Sequence, residues 1–145
     1  MDKKTEERSP VMSAAEVADY LEEVFPAVDG TYEIIGTRPM GATVRTIVGP
    51  AEIRPGGTVS GPTLFKAADV AFYAAVLGMI GKVAMSVTAN ATVNFLRKPA
   101  PKDVIAEARI LKLGRLLATG DVMLYSEGDD KPVAHATMTY AIPPQ

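Results

Sequence analysis

Cysteine is missing from this chain of 145 residues, which rules out disulfides, thiolate nucleophiles and cysteine-ligated metals. One histidine, His135, and no clustered carboxylates offer little from which to build a catalytic metal centre, so none is expected. An excess of charge of one sign is lacking too. With 15 Lys+Arg against 17 Asp+Glu the formal net charge is -2, and no basic field is present to recruit nucleic acid. The N-terminus, Met1 to Pro10, is charged and polar and lacks the apolar core of a secretory signal. No repeat or low-complexity tract interrupts the chain. It reads as a flexible tail over residues 1–10 followed by a single domain over residues 11–145, cytoplasmic and without a membrane partner.

What is present is concentrated between Arg54 and Tyr73, where a glycine-rich loop runs into a nearly all-apolar helix spanning Pro62–Ile80. The only charges in that helix are Lys66 and Asp69. Its length approaches that of a membrane span, but two charges in its first half argue for a buried core helix instead. A carboxylate on a helix that is apolar all round is either paired or put to use. Pairing would be an i,i+3 contact with Lys66; use would be chemistry.

Around this centre the pattern is mostly β. Ser13-Ala-Ala-Glu16 is a capping box, and Val17, Tyr20, Leu21 and Val24 recur at helical spacing up to Phe25-Pro26. Tyr32–Ile35 and Ala42–Val48 read as strands, broken by Gly36, Pro39 and Gly41. After Gly78 and Gly81, a long strand is expected over Val83–Phe95. Its oily parity is Val83, Met85, Val87, Ala89, Ala91, Val93 and Phe95, and its polar parity Ser86, Thr88, Asn90, Thr92 and Asn94. Val104–Leu113, Leu116–Ser126 and Val133–Ile142 follow, joined by turns at Gly114-Arg115 and Glu127–Pro132 that require antiparallel neighbours. The fold class is α+β, a long central helix wrapped by an antiparallel sheet of five to six strands.

This organisation resembles the hotdog fold and, more narrowly, the PaaI-type acyl-CoA thioesterases. Relatives read approximately Asn-x-x-Gly-x-x-His-Gly-Gly, six residues, then Asp-x-Ala. Here Arg54 stands at the asparagine, Gly57 at the glycine, Ser60 at the histidine, Gly61 and Pro62 at the glycine pair, and Asp69 at the catalytic carboxylate. Asn94-Phe-Leu-Arg97 and Gly114-Arg115 are similar to further family segments. The resemblance implies hydrolysis of acyl-CoA thioesters, with coenzyme A entering only as part of the substrate and no other cofactor. Asp69 would be general base or nucleophile, and the Gly61 N–H would polarise the thioester carbonyl across a homodimer, itself paired into a homotetramer.

Around that pair, Ser60 and Arg54 occupy positions that relatives use catalytically. Ser60 is equally a helix cap, and Pro62 suits the first helical position. Ser86, or Thr88 beyond it on the polar face, would steady the attacking water. Arg97, Lys98 and Arg115 would meet CoA phosphates. His135, on the polar face of the last strand, is read as a solvated or interface residue. Phe65, Phe72, Tyr73 and Met79 would line the acyl pocket. The replacements at Arg54 and Ser60 also suit a second function, a non-catalytic acyl-CoA receptor. A hydratase would need a histidine beside the carboxylate.

Overall fold

The computed structural model describes residues 8–28 and 30–145; most of the expected N-terminal tail, residues 1–7, lies outside the described residues. From residue 11 the chain is tied down, since the amides of Val11 and Met12 both donate to the Gly78 carbonyl and Met12 is buried. Helix α1, Ala14–Val24, starts at the expected capping box. The Ser13 hydroxyl accepts from the Glu16 amide at 3.1 Å, and the Ser13 amide donates to the Glu16 carboxylate at 3.0 Å. These bonds hold the exposed Glu16 carboxyl below its ordinary range.

Six strands form one antiparallel sheet: β1 (Tyr32–Arg38), β2 (Gly41–Thr46), β5 (Val87–Phe95), β6 (Val104–Leu113), β7 (Leu117–Ser126) and β8 (Ala134–Ala141). Their order is β1-β2-β6-β7-β8-β5, which leaves β5 as an edge. Two further short strands, β3 (Ile53–Arg54) and β4 (Thr58–Val59), make a separate hairpin. The sequence shows only the glycines of its turn, Gly56 and Gly57, both at positive φ where a Cβ would be strained.

Helix α2, Gly61–Ile80, packs mainly on β2, β6 and β7. By length and hydropathy it could cross a membrane, but here it is the core. Leu64, Phe72, Leu77 and Met79 are fully buried against the sheet, each such side chain contributing about 1.5–3 kcal/mol by leaving water. Phe72 and Met79 therefore belong to the core and not to an acyl pocket. Phe65 is exposed.

The strand after α2 differs from expectation in two ways. It begins at Val87, because Gly81 caps α2 with φ 91° and the Val83 amide then bonds the Gly81 carbonyl in a tight turn. It also carries a register shift at Ala89, between Thr88 and Asn90. Beyond it Ala91, Val93 and Phe95 pair with the inward-facing Met138, Ala136 and Ala134. Before it Thr88 pairs with Tyr140. Cross-strand partners share a face, so the bulge turns Thr88 inward, off the outer face that Asn90, Thr92 and Asn94 share. Re-aiming a side chain is a recurrent use of a bulge.

Candidate active site

Asp69 sits half-buried in the third turn of α2, and its carboxylate is taken up by hydroxyls. The Thr88 Oγ1 donates to Oδ1 at 2.6 Å, and the Tyr140 hydroxyl donates to the same oxygen at 2.6 Å. Both donors arrive because Thr88 and Tyr140 are register partners on β5 and β8. Among the described residues no ion pair engages Asp69, so the spacing to Lys66 is not used. Hydroxyls, not a cation, hold the carboxylate in place, and among the described residues Oδ2 has no hydrogen-bond partner.

Tyr140 is 3% exposed. Burial, and secondarily the Asp69 charge, push its phenol far above the ordinary tyrosine range, so it stays a donor. Its ring stacks on Tyr73 at 5.8 Å and meets Phe72 at 5.5 Å. Tyr73 is in turn tied to the Ala84 carbonyl at 2.7 Å, and burial pushes its phenol up to about 12. Tyr140 was not foreseen as a site residue, since its parity marks only a core position. The β5–β8 register, which sequence periodicity does not give, brings its hydroxyl to Asp69.

Ser86 is 4% exposed, and among the described residues its hydroxyl has no hydrogen-bond partner. It belongs to the turn before β5 and is buried, contrary to the reading that put it on the polar face of a longer strand. Ser60 caps α2: its Oγ accepts from the Thr63 amide at 3.4 Å and lies 2.7 Å from the Thr63 hydroxyl. Gly61 is the first helical residue, so Pro62 takes the second position and not the first. The Gly61 N–H is one of the first-turn amides that a helix leaves without an intrahelical acceptor, at the positive end of the helix dipole.

Gly61 opens onto a cleft of about 740 Å³ between the β3–β4 hairpin and the segment after β5. Val59, Leu64, Phe95 and Leu96 supply apolar walls, and Arg54, Arg97 and Lys98 supply three cations. Arg97 also donates to the Pro132 carbonyl at 2.9 Å. Gly57 shapes the hairpin turn through the hydrogen bond its N–H donates to the Arg54 carbonyl. Arg115 is not part of this group. It lines a separate hollow with Ile80 and Ile142 at the other end of α2. Nor does Asp69 line the cleft: eight residues of helix at 1.5 Å each place it about 12 Å along α2 from Gly61.

His135 lies on the outer face of the sheet, its Nε2 3.1 Å from Asp121. Arg109 meets the same carboxylate at 3.2 and 3.3 Å. The histidine is thus paired as well as partly exposed, and it is on the opposite face from Asp69.

The thioesterase superfamily profile matches residues 56–133, from the hairpin turn to the start of β8. The chain belongs to the thioesterase superfamily. A candidate thioesterase from Silicibacter sp. is 48% identical over 93% of this chain and 94% of its own, with a TM-score of 0.86. A variant of the phenylacetic acid degradation protein PaaI from Thermus thermophilus is 28% identical, covering 81% of this chain and 99% of its own, TM-score 0.69. A hypothetical thioesterase from Streptococcus pneumoniae, solved with coenzyme A, shares the fold at 22% identity, covering 88% and 96%, TM-score 0.72. Among curated proteins no match is found. The hotdog architecture and PaaI-type resemblance read from the sequence are borne out. The chain is a thioesterase, an enzyme whose chemistry is thioester hydrolysis, and the non-catalytic receptor is set aside.

Proposed function

We propose that the thioesters hydrolysed are acyl-CoA thioesters, at sites shared between two copies of the chain. The observation that carries this reading is the separation, within one chain, of the hydroxyl-held Asp69 from the Gly61 cleft. A thioester carbonyl close to the Gly61 N–H is about 12 Å from the Asp69 of the same helix, too far for attack. A second copy brings the missing half.

The edge strand β5 supports such pairing. Its backbone is unpaired on one side, and it and its flanks expose Met85 (73%), Val87 (52%), Phe95 (58%) and Leu96 (50%). Open apolar edges of this kind are usually covered. The flat outer face, with Thr92 against Thr137 and Asn90 against Thr139, suits the further pairing of dimers into a homotetramer. For the substrate, Arg54, Arg97 and Lys98 fit the phosphates of CoA, and the coenzyme bound to the streptococcal neighbour is consistent with that assignment.

In the reaction, the Gly61 N–H stabilises the negative charge that develops on the carbonyl oxygen. A donor of this kind is worth about 3–4 kcal/mol in the transition state. The Asp69 carboxylate either takes a proton from water as it attacks or attacks directly to form an anhydride that water then opens. CoA leaves as the thiolate and is protonated to the thiol, by the proton Asp69 took from water in the first route and by solvent in the second. No cofactor is needed beyond the CoA of the substrate.

The test is thiol release from aryl, short, medium and long acyl-CoAs by wild type beside Asp69→Asn. Turnover of one or more thioesters by wild type, lost in a variant of unchanged thermal stability, is the expected outcome. A fully active Asp69→Asn protein would end this reading.

A further inference from the structure

The Asp69 carboxylate receives both of its hydrogen bonds on one oxygen. Tyr140 and Thr88 each donate to Oδ1 at 2.6 Å, and the Tyr140 hydroxyl is also 3.2 Å from the Asp69 backbone carbonyl. We propose that Tyr140 is a positioning residue for the hydrolysis: with Thr88 it locks Oδ1 against the sheet, so that Oδ2 is the oxygen presented to water or thioester. The inference rests on the thioesterase reading of Asp69.

The two donors differ in what they can hold. Thr88 is exposed on an edge strand. Tyr140 is buried, with its ring fixed between Phe72 and Tyr73, so its hydroxyl comes to Asp69 from one direction only. A carboxylate pivoting on one anchored oxygen keeps its other oxygen on a narrow arc, and alignment within such an arc is a large part of what an active site supplies. Around Asp69, β8 presents Tyr140, β5 presents Thr88, and α2 itself carries Lys66 one turn earlier without pairing to it.

Tyr140→Phe keeps the ring and its stacking and removes only the hydroxyl. Hydrogen bonds to charged groups are worth about 1.5–3 kcal/mol, so kcat should fall by about tenfold or more with KM little changed. The loss should fall on kcat while KM stays, a split that simple loosening of the core would not produce. Should Tyr140→Phe not fold, wild type labelled with 3-fluorotyrosine tests the same contact from the other side. A changed phenol donor on the same oxygen should change kcat while KM stays, since the Tyr140 hydroxyl donates directly to Asp69. Active wild type with an unchanged kcat in the variant or the labelled enzyme would overturn the role of Tyr140. Wild type inactive on every thioester would instead remove the thioesterase reading beneath it.

Discussion

At the residue scale, carboxylates on the two faces of the sheet have opposite settings. Asp69 looks inward and is met by neutral hydroxyls; Asp121 looks outward and is met by charge. Burial alone would push the Asp121 carboxyl up, but hydrogen bonds from Arg109 and His135, with their charges, outweigh it and hold it below its ordinary range. A carboxyl depressed in the folded state stabilises the fold above its unfolded value, about 3.9. That contribution is lost as pH falls through the folded value. Urea midpoints should therefore drop more steeply for wild type than for Asp121→Asn as the pH is lowered below about 4. Parallel curves would show that the outer trio does not contribute. Individual residues were unevenly legible in the sequence. Asp69 stood out because a lone carboxylate on an apolar helix is costly. Tyr140 did not, because a tyrosine at a core parity is ordinary until its hydroxyl has a partner.

At the element scale, periodicity located most of the fold, and it failed where backbone geometry departs from the period. The strand expected over Val104–Leu113 has the bounds of β6, β7 starts one residue later than expected, and β8 is one residue shorter at each end. A pure period-two reading put Thr88 on the polar face of β5, since a bulge leaves no mark in side-chain alternation. The β3–β4 hairpin was likewise hidden, its strands being too short to show a period. Close packing between α2 and β7 is also visible only in three dimensions. A Cβ at Gly120 would collide with the Arg109 carbonyl and come within 2.8 Å of Phe72 Cε1. Gly120→Ala should therefore cost about 1–3 kcal/mol or more, since an overpacked core must shift backbone as well as side chains. Chemical denaturation would measure it, and an unchanged midpoint would mean that β7 and α2 pack less tightly than the contacts imply.

At the scale of the whole molecule, one chain holds two halves of a site in separate places. The cation-rimmed cleft at Gly61 and the hydroxyl-anchored Asp69 lie at different levels of α2, and the apolar edge of β5 is open beside them. The proposed two-fold dimer would join each chain's cleft to the other chain's carboxylate. Two defective variants can separate these halves. Asp69→Asn disables the carboxylate. Gly61→Pro deletes the helix-start N–H and leaves the helix intact, since proline suits the first helical position and Ser60 already has the extended backbone (φ -68°, ψ 152°) that a following proline favours. Each variant alone should be nearly inactive in thiol release. The most direct measurement is to mix the two in equal amounts, allow subunit exchange, and assay again. Random exchange makes half the dimers mixed, each with one intact site, so recovery of about a quarter of the wild-type rate is the expected result. Mixed dimers that form, as native mass spectrometry would show, yet remain inactive would contradict a site built from both chains.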